Sequence, residues 1–389
     1  MKILIISLNF NPGHVSHLIA SYKQCEDLGY EAVYYVHPRF KPYLPNNCNI
    51  LSTEKDEVVK ADCAIILFPS IHNLFLMRKI KRYHTKILYI FHEPLTVVKE
   101  YRKAGFGLKY LMRLWLIDHI NALTVKKSNV ILLPSKKAVG YYEKNPLYKN
   151  PNYHYLPLMY DDECLDSYRS ISRKYFSYIG TIAADHSFKE FLDFVQWAVR
   201  TEQLSDWHFL IATKSEFEVP KELLRSSRVV IRKGKPMSND EINEYYASTY
   251  VVWNAYARTT QSGVLAKAFM FGTPAIVLRK NSNEFMRDGI EVVAIEDNTD
   301  NSQIVRAIQQ IRNNFEIYSR NCRMQFQRLF KSAQSPLLIH QQFNWKFNSF
   351  VLLYVGSAFI PFYIILAYAM CHLKHLTKLL EWNSRMVIS

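Results

Sequence analysis

Short apolar runs punctuate the first part of the chain: KILIIS (Lys2 to Ser7), EAVYYV (Glu31 to Val36), DCAIILF (Asp62 to Phe68), KILYIF (Lys86 to Phe91) and VILLP (Val130 to Pro134). They do not alternate with polar residues, and helical segments separate them. That pattern predicts strands of a parallel sheet covered on both faces. A turn at Asn11-Pro12-Gly13 precedes a helix predicted over His14 to Leu28. A loop-rich stretch, NPLYKNPNYHYLPLMYDD (Asn145 to Asp162), reads as the link to a second region where the alternation restarts. Strands are expected at Tyr175 to Ile179, Trp207 to Ala212, Arg228 to Ile231, Val251 to Asn254 and Val292 to Ile295. Helices are expected at Phe188 to Thr201 and Asp240 to Ala247, and one long helix over Ser302 to Phe330.

Within this second region, RTTQSGVLAKAFMFGTPAIV (Arg258 to Val277) has the punctuation of a small-residue loop, a short helix over Val264 to Phe271, a Gly-Thr-Pro stop and a strand. Such a loop can hold a phosphorylated ligand on the first turn of its helix, because the N–H groups there are free and glycine lets a backbone approach closely. An ordinary strand-to-helix turn would look the same. Two α/β halves joined by one linker leave a cleft between them, where open parallel sheets bind ligands. The organisation read from these patterns is a first domain over residues 1–150, a linker over 151–170, a second domain over 171–342 and a tail over 343–389.

The 389 residues are 49% hydrophobic and 21% charged, which fits folded domains and excludes a disordered chain. The six cysteines lack CxxC spacing and read as free thiols of a reducing compartment. MKILIISLNF reads as a first strand, not a leader, so the folded part is expected in the cytoplasm. The net charge is +15, and residues 1–160 hold 22 Lys or Arg against 11 Asp or Glu. A basic half suits nucleic acid, an anionic membrane or a phosphorylated substrate. No nucleic-acid motif is present, so nucleic acid is not an expected partner.

The tail narrows the choice. FNSFVLLYVGSAFIPFYIILAYAMC (Phe347 to Cys371) carries no charge and is long enough to cross a bilayer core as a helix kinked at Pro361. A buried C-terminal helix is the other reading. Upstream, VKEYRKAGFGLKYLMRLWLI (Val98 to Ile117) interleaves basic with aromatic and aliphatic residues. It suits either an anionic membrane surface or a solvated helix face.

Six stretches, in order, carry a resemblance: MKILIISLNFNPGHVSHL, VILLPSKKAVGYY, HYLPLMYDD, FSYIGTI, KPMSNDEINEYYASTYVVWNAY and SGVLAKAFMFGTPAIV. Together they resemble the GT-B glycosyltransferases, group 1 (glycosyltransferase family 4-like). The resemblance covers about residues 1–330. It implies an α/β fold of two Rossmann-like domains facing a central cleft, followed here by a C-terminal hydrophobic membrane-associated helix. The first domain would bind an acceptor and the second a nucleotide sugar. Gly13, Gly180, Ser262, Gly263 and Val264 would lie beside the donor, with Thr259, Thr260 and Gln261 hydrogen-bonding it.

The resemblance also exposes a departure. Where the family often carries two glutamates, this sequence has Thr259 and Lys267, and Thr181 stands where an arginine is usual. An ammonium cannot accept a bond from a ribose hydroxyl, so Lys267 would bind phosphate or face solvent. Cations for the leaving diphosphate are sought among Lys214, Arg232, Lys235, Arg258 and Lys267, with Arg258 and Lys267 foremost. In FHEP, His92 and Glu93 follow a buried strand and are the candidate catalytic pair; a capped strand end is the alternative. Asp185-His186 also falls near the cleft, and Asp161-Asp162 reads as linker polarity. The resemblance implies no metal and no cofactor beyond the nucleotide sugar.

The expected activity is transfer of a sugar to a lipid-linked or polysaccharide-precursor acceptor at the cytoplasmic membrane face, with retention if the group 1 likeness extends to mechanism. Membrane lipid is the expected neighbour. A non-catalytic GT-B scaffold in a glycan assembly complex and a GT-B sugar-nucleotide epimerase are the alternatives.

Overall fold

The computed structural model describes residues 1–52, 60–92, 94–95, 107–183, 185–201, 204–258 and 261–331. Both sheets lie within one compact unit, Met1–His340. The first sheet has the strand order β3-β2-β1-β4-β5-β6-β7 and the second β10-β9-β8-β11-β12-β13. Every pairing is parallel, as the unbroken apolar runs predict.

The first sheet is built from β1 (Lys2–Ser7), β2 (Glu31–Val36), β3 (Ile50–Ser52), β4 (Cys63–Ile66), β5 (Lys86–Ile90), β6 (Val130–Leu133) and β7 (Tyr153–Tyr155). Its helices are α1 (Val15–Asp27), α2 (His72–Lys81), α3 (Leu108–Lys127) and α4 (Lys136–Lys144). After the short α5 (Asp166–Arg169), the second sheet takes β8 (Tyr175–Ile179), β9 (His208–Ala212), β10 (Val229–Arg232), β11 (Thr249–Asn254), β12 (Ala275–Leu278) and β13 (Val292–Ile295). Its helices are α6 (Phe188–Arg200), α7 (Lys221–Arg225), α8 (Asn239–Ser248), α9 (Gly263–Met270), α10 (Asn301–Asn313) and α11 (Phe315–Leu329).

In each sheet the chain starts in the middle and turns outward in both directions, at β1 and at β8. Ligands of open α/β sheets sit beyond the carboxyl ends of the strands at such points. The loop after β1 is Asn11–Gly13 and the turn after β8 is Gly180, so both glycine turns stand where a ligand would lie. Each sheet has its own core. Phe176, Tyr178, Phe191, Phe194, Phe209 and Trp253 anchor the second. Leu4, Ile6, Ile66, Ile87, Tyr89 and Ile131 anchor the first.

Three elements differ from the sequence reading. The loop-rich stretch contains β7, which joins the first sheet through Ile131↔Tyr153. The long helix expected over Ser302 to Phe330 is two helices, broken at Asn314, where φ is −129°. The helix expected from His14 begins with a 3₁₀ turn over Pro12–His14, and α1 follows it. Among the described residues no helix is long and apolar enough to cross a membrane. The apolar stretch Phe347 to Cys371, and the tail expected over 343–389, lie outside the described residues.

Candidate functional site

The loop between β11 and α9 is pinned from three sides. Ser262 caps the helix, its Oγ accepting from the Leu265 N–H at 3.3 Å, and Asn254 Nδ2 donates to the same Oγ at 2.9 Å. Gln261 Oε1 accepts from the Leu158 N–H at 3.1 Å, tying the loop to the segment that leaves the first sheet. The Ala266 N–H bonds the Ser262 carbonyl at 3.2 Å. The first four N–H groups of a helix have no intrahelical partner. With those of Leu265 and Ala266 committed to Ser262, the Gly263 and Val264 N–H groups are the donors at the tip.

Gly180 ends β8 at φ +140°, a conformation that side chains rarely adopt, and a β-carbon there would stand 3.3 Å from Val264 Cγ2. The β8 turn and the α9 tip therefore touch. On the other side, a β-carbon on Gly263 would stand 3.3 Å from the Tyr160 hydroxyl. That hydroxyl is buried and has no hydrogen-bond partner among the described residues. Burial raises its pKa, so it remains a proton donor. Gln261 Nε2 and His14 Nδ1 are likewise buried without a partner. Buried polar atoms are normally bonded, so these orphans make the tip the candidate ligand site.

The first half faces this tip with imidazoles. The His14 ring stacks on Phe68 with centroids 3.3 Å apart. The His17 ring lies 5.4 Å from that of His92 and 4.5 Å from that of Tyr160. His17 Nδ1 donates to the Met159 carbonyl at 3.0 Å. Burial lowers the His14 pKa to about 3, helped by the charges of His17 and Lys214. Burial lowers His17 to about 4, against the pull of its backbone bond, and takes His92 well below its ordinary value. All three rings are neutral at physiological pH.

Lys214 reaches across from β9 to this cluster, its Nζ 3.5 Å from Asn11 Oδ1, which also accepts from the Gly13 N–H at 3.2 Å. Gly13, His14 and Lys214 are thus brought together. Arg258 extends the other way, with its guanidinium 5.7 Å from the Tyr141 ring of α4. His186 stacks on Tyr256, ring centroids 4.4 Å apart, and the Asp185 carbonyl accepts from the Ala257 N–H, so both support the loop. Arg232 ends the edge strand β10 and is bound to Glu241 at 2.7 Å. Glu93, Thr259 and Thr260 lie outside the described residues.

Lys267 departs most from the sequence reading. It neither faces solvent nor offers its charge to the loop. Its side chain is 8% exposed, and its Nζ stands 2.7 Å from Glu163 Oε2. Glu163 also accepts from Ser16 Oγ at 3.0 Å, from Asn243 Nδ2 at 3.2 Å and from Asn239. Burial alone would raise the Glu163 pKa, but Lys267 and the two amides more than offset it and hold the group ionised. Burial lowers the Lys267 pKa, and Glu163 opposes that fall. The neighbouring Asp162 pairs with Arg323 of α11 at 2.5 and 2.9 Å, and Asp161 with Lys23 of α1 at 3.0 Å. Glu163 was not singled out from the sequence. Its only signal is indirect: Lys267 is the sole charge on an otherwise apolar helix, and a buried ammonium requires a counter-ion. Among the described residues no group of three or more His, Cys, Asp or Glu could hold a metal ion.

Residues 173–314, which include β8 to β13 and the α9 loop, match the family described as "Glycosyl transferases group 1". That segment is similar to the group 1 glycosyltransferases. Solved structures agree on the GT-B fold. HepE of Anabaena in complex with UDP-glucose superposes with a TM-score of 0.64 at 11% identity, over 88% of this chain and 99% of that one. The sucrose-phosphate synthase of Thermosynechococcus elongatus gives 0.61 at 13%, over 88% and 98%. WaaG, a glycosyltransferase involved in lipopolysaccharide biosynthesis, gives 0.61 at 12%, over 88% and 100%. At such identities these structures speak for the fold alone. No curated protein matches this sequence.

Proposed function

We propose that this glycosyltransferase takes a sugar from a nucleotide-sugar donor and passes it to a lipid-linked or polysaccharide-precursor acceptor at the cytoplasmic face of a membrane. The observation that carries the donor half is the gathering of orphaned polar atoms, Tyr160 Oη, Gln261 Nε2 and His14 Nδ1, round the tip of α9. The Gly263 and Val264 N–H groups would take the diphosphate, at the positive end of the helix. Lys214 and Arg258 would supply the charge that stabilises the departing nucleotide. The ligand of HepE, UDP-glucose, supports a nucleotide sugar as the ligand class. The reading asks for no metal and no further cofactor.

His92 enters as a neutral ring. A group held well below its ordinary pKa is a weak proton acceptor, so its proposed part is to hydrogen-bond the sugar or the acceptor hydroxyl. Glu93 beside it is the proposed base or orienting group. Retention of anomeric configuration is the outcome proposed from the group 1 likeness. The basic first half and the uncharged stretch Phe347 to Cys371 support a membrane-borne acceptor.

A second reading rests on Lys267. With its ammonium held by Glu163, that position offers a donor ribose no acceptor, which is what a non-catalytic GT-B scaffold would tolerate. A thermal-shift screen with UDP-, GDP-, ADP- and CMP-sugars separates the two. One nucleotide sugar should raise the melting temperature, by an amount set by its concentration over its Kd, and Lys214→Ala should shrink the rise at the same concentration. If none raises it, the scaffold reading stands and the transfer reading falls.

A further inference from the structure

Along the inward face of α3, Leu111 and Leu114 pack on Leu95, in a small cluster apart from the core of the first sheet. The next residue on that face is Asp118, at i+7 from Leu111 and i+4 from Leu114. It is 5% exposed. An aliphatic side chain would extend the seam at that position, and a buried carboxylate is costly unless it is well bonded.

Two neutral donors meet Asp118. The Tyr148 hydroxyl donates to Oδ1. Asn145 Nδ2 lies 3.2 Å from Oδ1 and 3.0 Å from Oδ2. Both donors then turn to one backbone residue. The Tyr148 hydroxyl accepts from the Leu95 N–H at 3.2 Å, and Asn145 Nδ2 donates to the Leu95 carbonyl at 3.0 Å. A phenol has one hydrogen to give and an amide two, so a carboxylate that only accepts sets the direction of all three. Burial raises the Asp118 pKa, and the bonds from Tyr148 and Asn145 oppose the rise. Asn145 is itself fixed at the end of α4, its N–H on the Tyr141 carbonyl at 3.1 Å and its Oδ1 accepting from the Leu147 N–H at 3.0 Å. The Tyr148 ring meets that of Phe91 edge-on, centroids 5.0 Å apart.

Leu95 stands three residues after His92. Just before His92, the Phe91 N–H is bonded to the Leu132 carbonyl of β6 at 2.8 Å. The backbone is therefore held on both sides of His92, whose ring lies 4.6 Å from that of Phe68 and 5.4 Å from that of His17. We propose that Asp118 is a positioning residue: through Tyr148 and Asn145 it holds Leu95, and through that backbone it holds the His92 ring in the imidazole cluster opposite the α9 tip. A carboxylate that served packing alone has no need for both of its donors to end on the N–H and the carbonyl of one residue beside that ring. What His92 does in the cluster rests on the transfer reading above; where its ring sits does not.

The test uses the full chain, with carbon-13 at the histidine Cε1 atoms, read by NMR. The His92 signal is the one that His92→Gln removes. In the wild type it should stay constant between about pH 5 and pH 8, because burial, with His17 and His14 close by, holds that ring well below its ordinary 6.5. In Asp118→Asn and in Tyr148→Phe the His92 signal should move and should titrate nearer 6.5, while that of His208, on β9 in the second sheet, keeps its place. Hydrolysis of whichever UDP-, GDP-, ADP- or CMP-sugar raises the melting temperature should fall about 10- to 100-fold in kcat, with the donor KM unchanged, as for a misplaced reacting group. If no nucleotide sugar binds, the transfer reading falls, and the His92 signal alone decides whether Asp118 places the ring. The proposal is overturned if that signal stays put in both variants while they remain folded. It is equally overturned if Asp118→Asn lowers the melting temperature and disturbs every histidine signal while Tyr148→Phe leaves His92 unmoved, since the carboxylate is then structural.

Discussion

Helix α9 has two polar neighbourhoods, one at its tip and one along its flank, and they differ in completeness. On the flank, Lys267, Glu163, Ser16, Asn239 and Asn243 are joined to one another. Beside them Asp162 and Arg323 form a bidentate pair. At the tip, the hydroxyl of Tyr160, the amide nitrogen of Gln261 and a nitrogen of His14 are buried and have no hydrogen-bond partner among the described residues. The flank pairs its charges and leaves only Asn243 Oδ1 and the ion-paired Lys267 Nζ without a hydrogen bond among the described residues. The open set is therefore read as reserved for something the protein binds, and the closed set as structure.

The comparison can be broken most directly on the flank. Lys267→Ala leaves Glu163 buried without its counter-ion and should cost about 3–5 kcal/mol in denaturant unfolding. Lys267→Met combined with Glu163→Gln should recover most of that loss. A single variant that unfolds like the wild type would show that the flank is not structural.

The next effect is one of pH. The His17 pKa is about 4 in the fold against 6.5 unfolded, so the unfolded chain binds the extra proton. The stability this burial leaves intact is full above pH 6.5 and is lost as the pH falls toward 4, where the loss levels off. The slope is at most ~1.4 kcal/mol per pH unit. Urea unfolding of the wild type and of His17→Asn from pH 7 to pH 4 should diverge in that window, with the variant flatter.

At the tip, binding should respond and stability should not. Lys214→Ala should leave the unfolding midpoint nearly unchanged and weaken nucleotide-sugar binding roughly 10- to 100-fold by calorimetry, the scale of one hydrogen bond to a charged group. Tyr160→Phe should show the smallest change. Its hydroxyl has no partner among the described residues to lose, so stability should stay within about 0.5 kcal/mol, while affinity falls about two- to tenfold. If Tyr160→Phe instead destabilises the fold, the tip resembles the flank and the contrast between them disappears.

What could be read from the sequence follows the range of the forces involved. The strands of both sheets were legible because each is a short run that must be apolar on two faces. The α9 loop was legible because a capping serine, a glycine and a Gly-Thr-Pro stop act within a few residues. The three-residue edge strand Ile50–Ser52 carries too little pattern to be seen, and β7 is hidden among prolines and asparagines. The break at Asn314 escaped because apolar spacing continues from Ile311 to Tyr318 on either side of it. The site divides the same way. Gly180, Ser262, Gly263 and Val264 come together as local motifs imply. The pairing of Lys267 with Glu163 joins residues far apart in sequence, and no local rule states which acid will meet which lysine. His14 and His17 were likewise invisible as a cluster, since only the fold brings Phe68 and His92 to them.

The crossing segment has a mechanical consequence. The Tyr160 N–H bonds the Phe330 carbonyl at 2.8 Å, so the outgoing chain and the end of the last described helix are fastened at one place. Asp161 and Glu163, just beyond it, reach back to α1, while Asp162 and Glu163 also grip α11 and α9. If the halves rock to admit and release a donor, the axis runs through Tyr160 and Phe330.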